Sequence, residues 1–386
     1  MTETAEFIVV GAGIAGASAA YALAPHGRVV LLERESQPGY HTTGRSAALF
    51  TETYGNPTIR AITKASRAFL TDPPDGFADH PILSPRGVLL IGRTDQAASL
   101  YTAFTEGRAV APDVTQLSAE EARRIVPALR ADYLAGAVYE PGSMDIDVHA
   151  LHRGYLRAKT RHGPGRGGRL VTDAEVTAVA REGGGWRVET RAGAFAAPVL
   201  VNAAGAWVDA VAKLAGLAPI GLVPKRRTAF TFDVAADQGA ERWPSVIDVD
   251  EEFYVKPEAG RLLGSPADET PSAPCDAQPE EIDLAVAVDR IERAFALEVK
   301  RLHSKWAGLR SFVADKTFVV GQRPDAPGFV WLAGQGGYGI QSSPAMGRIA
   351  AGMALGRGLP DDVMALGVGA AQLAPDRPAL RVKGAA

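Results

Sequence analysis

Three glycines and one glutamate near the start of the chain have the spacing of a dinucleotide-binding motif. Gly11, Gly13 and Gly16 directly follow the apolar run Phe7–Val10, and Glu33 ends the next apolar run, RVVLLE. The first glycine permits a tight turn, the second lets the backbone approach a pyrophosphate, and the third allows close packing of helix and strand. The carboxylate can bind the ribose hydroxyls. The pattern predicts NAD or FAD binding, and an acid at Glu33 argues against a 2′-phosphate.

A strand, a helix and a second strand must hold these groups. Phe7–Val10 is continuous and apolar, which is typical of a strand covered on both faces. The small-residue segment ASAAYALAPHG predicts a helix that stops near Gly27. The free N–H groups and the dipole at its start would face the phosphates. This order predicts an α/β, Rossmann-like domain.

The segment YHTTGRSAA, residues 40–48, is small and polar where a simple NAD fold would begin another crossover helix. Its small residues allow the backbone to approach a flat ligand, and Thr42, Thr43 and Ser46 supply hydroxyl groups. Arg45 could pair with a phosphate or with Glu33. A surface loop is the alternative for such a composition.

A second Gly-rich segment lies near the C-terminal end, in FVWLAGQGGYGIQSSPAMGRIAAGMALG. It predicts a strand, a turn containing Gly334, Gly336, Gly337 and Gly339, and then a helix. A helix start directed at the N1/C2 edge of a flavin would stabilise the negative charge of the reduced ring. A further tight turn between strand and helix is the alternative.

Other local signals are structural. Residues 57–70 have helical spacing, and Ser118 with Glu121 forms a capping-box pattern. The segment RHGPGRGGRL, residues 161–170, predicts a solvated turn.

Eight motifs resemble the glycine/D-amino-acid oxidase family of FAD flavoproteins. They cover nearly the whole chain in order, and are GAGIAGAS, HGRVV, QPGYHTTGRSAA, LVNAAGAW, PKRRTAF, FYVKP, WAGLRSFVAD and GQGGYGIQ. Within this family, the resemblance to bacterial D-arginine dehydrogenase is closer still.

The resemblance implies two discontinuous domains. A Rossmann-like FAD-binding domain would comprise residues 1–80, 146–216 and 306–386, and a mostly β-sheet substrate domain residues 81–145 and 217–305. The FAD is expected to be non-covalent, because the single cysteine, Cys275, is outside the C-terminal segment where covalent relatives attach flavin. The expected cofactor contacts are Gly11, Gly13, Ile14, Ala15, Gly16, Glu33, Arg34, Thr42, Thr43, Gly44, Arg45, Ser46, Ala47, Ala48, Val176, Ala203, Ala204, Gly205, Trp207, Arg310, Gly336, Gly337, Tyr338, Gly339, Ile340 and Gln341.

Oxidation of an amino acid by flavin requires a clamped carboxylate, a neutral amine and a Cα–H directed at flavin N5. A guanidinium can grip a carboxylate in a bidentate manner. In the resembling enzymes the arginine of WAGLRSF, here Arg310, is this clamp. Arg227 matches a second arginine of the pocket, although with Lys225 and Arg226 it could also form a surface cluster. Tyr254 matches a tyrosine whose hydroxyl reaches the substrate carboxylate.

Three further residues of the expected catalytic set also follow from the resemblance. Tyr54 matches a tyrosine on a mobile loop that closes over the pocket, and the following Gly55–Asn56–Pro57 is expected to act as a lid hinge. The backbone of Gly337 and the side chain of Gln341 would complete the amine and flavin contacts.

The substrate pocket departs from the arginine-specific pattern. Leu49 occupies the position of a histidine, and Val88 that of the glutamate that binds the substrate guanidinium. A guanidinium buried beside these residues would have no counter-charge. Glu52 on the loop is a possible substitute anion.

The predicted activity is therefore a D-amino acid dehydrogenase that prefers neutral or apolar side chains, with hydride transfer from the α-carbon to flavin. The first alternative is an oxidase of D-amino acids or of secondary amines such as sarcosine. A second, of another class, is a non-catalytic FAD-binding redox sensor. The expected partners are an amino acid substrate and an electron acceptor, which could be a quinone, a dye or oxygen.

Composition excludes several other classes. The 386 residues are 46% hydrophobic and 22% charged, and the net charge of −3 gives no reason to expect nucleic acid. A lone cysteine excludes an internal disulfide and fits a reducing compartment. The histidines have no metal-ligand spacing, so no metal is expected. Without an evident leader or membrane span, the expected location is the cytoplasm, with peripheral membrane contact left open.

Overall fold

A computed structural model describes residues 2–158, 167–235 and 238–380 of the chain. The strands are β1 Thr2–Thr4, β2 Phe7–Val10, β3 Arg28–Leu32, β4 Leu49–Phe50, β5 Leu83–Pro85, β6 Val88–Gly92, β7 Thr115–Ser118, β8 Gly136–Glu140, β9 Met144–Ile146, β10 Gly167–Val171, β11 Val176–Glu182, β12 Gly185–Thr190, β13 Gly193–Ala197, β14 Val199–Asn202, β15 Val223–Phe232, β16 Ser245–Asp248, β17 Tyr254–Glu258, β18 Arg261–Ser265, β19 Thr270–Pro271, β20 Leu302–Phe312, β21 Val319–Gln322 and β22 Phe329–Ala333. The helices are α1 Ile14–Leu23, α2 Pro57–Thr71, α3 Ala97–Val110, α4 Ala119–Ile125, α5 Val148–Ala158, α6 Val208–Leu214, α7 Glu281–Ala294, α8 Ser343–Ala354, α9 Asp361–Ala365 and α10 Ala370–Leu373.

A six-stranded sheet in the order β10-β3-β2-β14-β22-β21 forms the nucleotide-binding half. Its neighbouring strands are parallel except for β21, which runs antiparallel to β22. Alternate residues of β2 enter different cores: Phe7 and Val9 pack with the helices α1 and α8, and Ile8 and Val10 with the sheet β1-β13-β12-β11. All four residues are buried, as predicted for a doubly covered strand.

A nine-stranded sheet forms the second half, in the order β19-β15-β18-β17-β16-β6-β8-β7, with β20 paired to β15. One face of this sheet carries Leu89, Val246 and Val255 and packs against α7 and α4. Because side chains alternate along a strand, the neighbouring residues point to the opposite face. That face is not covered by helix α7, and it provides the walls of the site described below.

The fold is the mixed α/β arrangement that the sequence predicts. The six-stranded sheet draws its strands from residues 7–32, 167–202 and 319–333, within the expected FAD-binding segments. The long strand β20, Leu302–Phe312, crosses the expected boundary between residues 305 and 306 and joins both halves. The domain limits themselves stay a prediction.

Two local predictions need adjustment. Helix α1 ends at Leu23, four residues before Gly27. Residues 167–170 of the expected Gly/Arg-rich turn belong instead to β10, and residues 161–166 are outside the described residues. By contrast, α2 and the capping box of Ser118 and Glu121 are as predicted.

In the parts of the chain that the structure describes, every helix is too short or too polar to traverse a lipid bilayer.

The packing of α8 on α1 predicts a stability effect at a single glycine. A Cβ atom on Gly347 would lie 2.7 Å from the backbone oxygen of Ser18, so the two helices would have to move apart. We expect Gly347→Ala to lower the free energy of unfolding by about 1–3 kcal/mol in chemical denaturation followed by circular dichroism.

The matched control is Gly107→Ala in α3, where the new Cβ would lie 3.4 Å from the nearest atom, in the side chain of Val114. There the higher helix propensity of alanine should leave stability unchanged or raise it by up to about 1 kcal/mol. Equal losses in both variants would contradict the packing argument.

Candidate active site

Two adjoining cavities lie between the sheets. The larger has a volume of about 510 Å³ and runs along the Gly-rich turns of the six-stranded sheet. The smaller, of about 350 Å³, lies over the open face of the nine-stranded sheet. They share a wall formed by Arg227, Tyr254, Arg310 and Gly337, with Ser46, Ala47 and Ile340 beside it.

Most of the residues expected to contact the cofactor line the larger cavity. These are Gly11, Gly13, Ile14, Ala15, Glu33, Arg34, Thr42, Thr43, Arg45, Ser46, Ala47, Val176, Ala203, Ala204, Gly205, Trp207, Arg310, Gly336, Gly337, Gly339 and Ile340. Ala48, Tyr338 and Gln341 line the smaller cavity instead. Gly16 and Gly44 line neither, and their role is local: a Cβ on Gly16 would lie 1.8 Å from the oxygen of Gly11, and one on Gly44 would lie 2.7 Å from the oxygen of Gly39.

The first Gly-rich turn is held close to its surroundings. Gly11 has a φ of +97°, and a Cβ there would lie 2.5 Å from the backbone oxygen of Ala203 at the end of β14. A Cβ on Gly13 would lie 3.1 Å from Thr43 Oγ1, which accepts a hydrogen bond from the Ile14 N–H at 2.9 Å. The turn and the segment of residues 40–48 are therefore in direct contact, which small residues make possible.

Glu33 is buried beside the same turn. Its carboxylate accepts hydrogen bonds from the Ala12 N–H at 2.9 Å and the Glu35 N–H at 3.0 Å. Burial raises the pKa of Glu33, although these backbone donors oppose the rise. A carboxylate has about four acceptor positions, so acceptor capacity is left for a ligand hydroxyl.

Of the two partners expected for Arg45, the pairing with Glu33 is wrong, whereas a phosphate contact stays a prediction. Its guanidinium pairs with Asp276 and donates to the backbone oxygens of Ala277 at 2.9 Å and Ala307 at 2.8 Å, and it has no contact with Glu33. Thr42 Oγ1 likewise donates to the oxygen of Leu309 at 2.8 Å. Both side chains fasten the segment of residues 40–48 to β20 and the adjoining loop.

The second Gly-rich segment also differs from the prediction. Helix α8 begins only at Ser343, and the N–H of Ala345 in its first turn donates to Ser66 Oγ at 3.2 Å. The helix start therefore does not border the larger cavity. The turns before it do, through Gly336, Gly337 and Gly339.

The shared wall brings together the residues expected to bind the substrate carboxylate. Arg310 Nη1 donates to Tyr54 Oη at 3.5 Å, and a Cβ on Gly337 would lie 2.9 Å from the same nitrogen. Arg227 is buried, with its Nε donating to the oxygen of Asp268 at 2.8 Å and its Nη2 3.7 Å from Glu269 Oε1. Burial lowers the pKa of Arg227, and the charge of Arg310 lowers it further. Tyr254 lines both cavities.

The loop carrying Tyr54 is anchored at several points. Asn56, expected in a hinge, is instead the N-cap of α2: its side chain accepts from the Ile59 N–H at 3.1 Å. Gln341 is also engaged within the protein, accepting from the Thr51 N–H at 3.1 Å and donating to Thr63 Oγ1 at 3.1 Å. The oxygen and the nitrogen of the Gln341 side-chain amide thus connect the loop to helix α2.

A buried carboxylic acid adds to this anchoring. Glu140 accepts hydrogen bonds from Thr51 Oγ1 at 2.8 Å and Thr53 Oγ1 at 2.5 Å. Burial raises the pKa of Glu140. The ring of Tyr54 lies 4.8 Å from that of Tyr338, which completes the contact between loop and turn.

The smaller cavity has a mostly apolar interior. It is lined by the side chains of Val88 and Leu90 in β6 and of Ile247 in β16. The adjacent residues Leu89 and Val246 point the other way, into the core. Leu49 lines the smaller cavity as well, so both positions that depart from the arginine-specific pattern border this cavity. Glu52 does not: its carboxylate pairs with Arg67 Nε at 2.8 Å, so it is not the substitute anion.

Sequence reasoning missed several charged residues around the smaller cavity. They are Arg60, Glu106, Asp248, Glu251 and Lys256. Lys256 follows Tyr254 by two positions on β17, so strand alternation alone would have placed it on the same face. The others lie on α2, on α3, at the end of β16 and in a turn, and no local pattern marks them.

The larger cavity fits FAD. At Gly11, Gly336, Gly337 and Gly339 a Cβ would lie 2.2–2.9 Å from other protein atoms, so only glycine lets the backbone form this wall of the cavity. Among the described residues, Arg227 Nη2, Ser311 Oγ and Gln335 Nε2 are buried polar atoms without a hydrogen-bond partner, and all three residues line this cavity. Buried polar groups normally have partners, so a polar ligand is expected beside them. No group of three His, Cys, Asp or Glu residues within the described ranges is arranged to hold a metal ion.

Known proteins share both the sequence pattern and the fold. The sequence model of the FAD dependent oxidoreductase family DAO matches residues 6–353. Glycine oxidase of Geobacillus kaustophilus is 23% identical over 363 residues, covering 91% of this chain and 93% of that protein. Human mitochondrial sarcosine dehydrogenase is 26% identical over 372 residues, which are 90% of this chain and 39% of that protein.

Solved structures have the same architecture. Glycine oxidase from Geobacillus kaustophilus superposes with a TM-score of 0.81 at 23% identity, covering 93% of this chain and 96% of the other. The L-alpha-glycerophosphate oxidase from Mycoplasma pneumoniae with FAD bound gives a TM-score of 0.81 at 20% identity, covering 92% and 95%. At these identities the likeness concerns the fold.

The glycine turns, the buried acid and the long cavity define a flavoprotein with a dinucleotide-binding fold. The chain belongs to the DAO family of FAD-dependent oxidoreductases. The chain is therefore an oxidoreductase that uses a flavin cofactor.

The contact between Gly11 and Ala203 predicts the effect of one substitution on cofactor content. Gly11→Ala places a Cβ 2.5 Å from the Ala203 oxygen at a φ of +97°, so the turn must distort. We expect a severalfold lower ratio of flavin to protein absorbance after gel filtration.

Gly183→Ala is the matched control, because Gly183 also has a positive φ, +58°, but nothing lies within 4 Å of its Cβ position. This variant should retain its flavin. Full flavin content in Gly11→Ala would show that the turn does not cradle the cofactor.

Proposed function

We propose that the chain is a D-amino acid dehydrogenase, related to the D-arginine dehydrogenases, that prefers neutral or apolar side chains. The observation that carries the proposal is the shared wall of the two cavities. There Arg310, Arg227 and Tyr254 meet Gly337 at the boundary between the cofactor cradle and the apolar chamber.

Held at the glycine turns and Glu33, FAD would supply the electron acceptor for a substrate that loses a hydride from Cα and a proton from its nitrogen. The imino acid product would then be hydrolysed to a 2-oxo acid and ammonia. The protein's own groups fix the substrate. Arg310 grips the carboxylate, and Arg227 with the hydroxyls of Tyr254 and Tyr54 completes its binding. The Gly337 backbone, which borders both cavities, faces the amine side.

The walls of the smaller cavity support the choice of side chain. Leu49, Val88, Leu90 and Ile247 offer apolar contacts, so desolvation of a neutral side chain is favourable there. A guanidinium in the same place would lose its hydration without a paired carboxylate. D-Arginine is therefore proposed as a poor substrate.

A second candidate, an oxidase or dehydrogenase of glycine or sarcosine, is favoured by the relatives. Neither molecule has a stereocentre, so these relatives carry no information on handedness. The smaller cavity, at about 350 Å³, offers much more room than a hydrogen atom or a methyl group requires. This volume favours amino acids with larger side chains.

Two further features belong to the proposal. FAD is held without a covalent bond to cysteine, because exposed Cys275 lines neither cavity. The cytoplasm stays the expected location.

The proposal predicts which compounds reduce the flavin. We expect a mixture of D-amino acids to bleach the flavin absorbance anaerobically, and kcat/KM to be higher for D-Leu, D-Met and D-Phe than for D-Arg. L-Enantiomers, glycine and sarcosine serve as comparison substrates. Repeating the measurement in air separates an oxidase, whose colour returns, from a dehydrogenase.

Each unfavourable outcome identifies a different error. Bleaching by glycine or sarcosine alone would support the second candidate, and faster reduction by L-amino acids would reverse the handedness. A value of kcat/KM for D-Arg well above that for D-Leu would refute the side-chain preference. No reduction by any amine would favour a redox sensor.

Introducing a carboxylate at Val88 should change the side-chain preference. Val88 lies opposite Glu140 in the register of β6 and β8, and carboxylates on facing positions repel. Val88→Glu is therefore combined with Glu140→Gln, and Val88→Gln in the same background is the uncharged control. We expect the ratio of kcat/KM for D-Arg to that for D-Leu to rise about tenfold with Glu and not with Gln. The same ratio in both variants would place residue 88 outside the side-chain pocket.

A further inference from the structure

Most of the charged groups around the smaller cavity are already paired. Arg60 Nη2 bonds to Glu106 Oε2 at 3.0 Å, and Lys256 Nζ bonds to Asp145 Oδ1 at 3.0 Å. Asp248, fully buried, accepts hydrogen bonds from the Gln96 amide and from backbone N–H groups. These groups neutralise or satisfy one another and leave no net charge directed at a ligand.

Two charges that line the smaller cavity are different. Arg310 lines the cavity and, within the described part of the chain, has no carboxylate at ion-pair distance. Glu251 lines the same cavity, is exposed, and its carboxylate has neither an ion pair nor a hydrogen bond with any described residue. One unpaired cation and one unpaired anion therefore face a single cavity.

The turn that carries Glu251 is held firmly. The Glu251 N–H donates to the Asp248 oxygen at 2.8 Å, and the Asp248 N–H donates to the Phe253 oxygen at 3.0 Å. The buried Asp248 carboxylate also accepts from the N–H groups of Asp250 at 3.0 Å and Glu252 at 3.3 Å. Glu251 has a φ of 58° at the tip, so the turn fixes where its side chain leaves the backbone.

The charge of Glu251 acts at the clamp end of the cavity. Burial raises the pKa of Tyr54; the charge of Arg310 opposes this rise and that of Glu251 adds to it. Burial also raises the pKa of Tyr338, with Tyr54 and Glu251 contributing. Both tyrosines lie beside Arg310 and Gly337.

We propose that Glu251 binds the α-ammonium group of the amino acid substrate in the initial complex, opposite the Arg310 that binds its carboxylate. The ammonium then loses a proton to the solvent to which Glu251 is exposed, because the oxidation requires the neutral amine. The inference rests on the proposed function only in that the ligand is a zwitterionic amino acid. The ammonium and the carboxylate of such a ligand share one carbon atom. The anion that recognises the ammonium must therefore lie near the carboxylate clamp, where Glu251 is. A guanidinium at the end of a side chain would lie several bonds away, against Val88 and Leu90.

The test compares two ligands that differ only in this group. 2-Aminoisobutyrate and 2,2-dimethylpropanoate have the same shape, with an ammonium in the first replaced by a methyl in the second. Neither has an α-hydrogen or a stereocentre, so neither can be oxidised at that carbon and neither reports handedness. Dissociation constants are measured from the change in flavin absorbance of the holoenzyme, with the shift in Tm as a second readout.

We expect Glu251→Gln to weaken binding of 2-aminoisobutyrate about fivefold and to leave that of 2,2-dimethylpropanoate unchanged or tighter. The matched control is Glu252→Gln, the adjacent acid, which pairs with Arg93 Nη1 at 3.0 Å and lines neither cavity. It should leave both dissociation constants unchanged.

Three binding results and one kinetic result would overturn the inference. The binding results come first. They are equal weakening of both ligands in Glu251→Gln, no weakening of either, and an unchanged holoenzyme that binds 2-aminoisobutyrate no more tightly than 2,2-dimethylpropanoate. A loss of kcat/KM in Glu251→Gln confined to D-Arg would also overturn it, since Glu251 would then bind a side chain. A holoenzyme that shows the expected ligand effect but is not reduced by D-amino acids would refute the proposed function alone.

Discussion

The site is organised around two guanidinium groups of like charge that neighbouring strands bring together. Strands β15 and β20 pair Lys225 with Arg310 and Arg227 with Gly308, which places Arg227 and Arg310 diagonally on one face. Burial and the charge of Arg310 both lower the pKa of Arg227, which shows how unfavourable the arrangement is without an anion. Among the described residues, Glu269 is the one carboxylate within ion-pair distance, at 3.7 Å from Arg227 Nη2, and the charge of Glu251 also opposes the fall in pKa. A bound carboxylate would offset the repulsion, and in the proposed function the substrate supplies it.

The rest of the site follows from the alternation of the nine-stranded sheet. One face must be apolar to pack against α7, and this fixes the register of every strand. Tyr254 and Val88 then point to the other face, as does Arg227. A slip of one residue in any of these strands would expose core residues and turn the site residues inward. Core packing and site geometry are thus enforced by the same pairing.

The sequence was most informative where the signal is local. The turn at Gly11 and Gly13 depends on neighbouring residues, and its strand and cavity are where the spacing predicts. Long-range pairs were not predictable in this way. Arg45 pairs with Asp276, which is 231 residues away in the sequence, and Glu52 pairs with Arg67 of helix α2. Neither pairing could be predicted from the residue types alone. Helix α8 begins late because the first residues after the glycines form consecutive turns, a choice that depends on tertiary contacts.

Glu251 belongs to the same class of omission. Nothing in EEFYVKP distinguishes its first glutamate from its second, since both are acidic residues in a turn. The difference arises from Arg93, which pairs with Glu252 and leaves Glu251 without a partner. The proposed role of Glu251 therefore depends on which charges remain unpaired in this cavity. Identifying them requires knowledge of every ion pair around it.

The shared wall also separates chemistry from side-chain selection. Gly337 borders both cavities and lies against Arg310, so the carboxylate clamp and the cofactor cradle use one backbone segment. Under the proposed function, the position of the reacting carbon depends on these residues and not on the chamber beyond. Leu49 and Val88 line only that chamber. Substitutions at these two positions can consequently change the side-chain preference while the geometry of oxidation is retained. One fold can in this way serve amine substrates of different size.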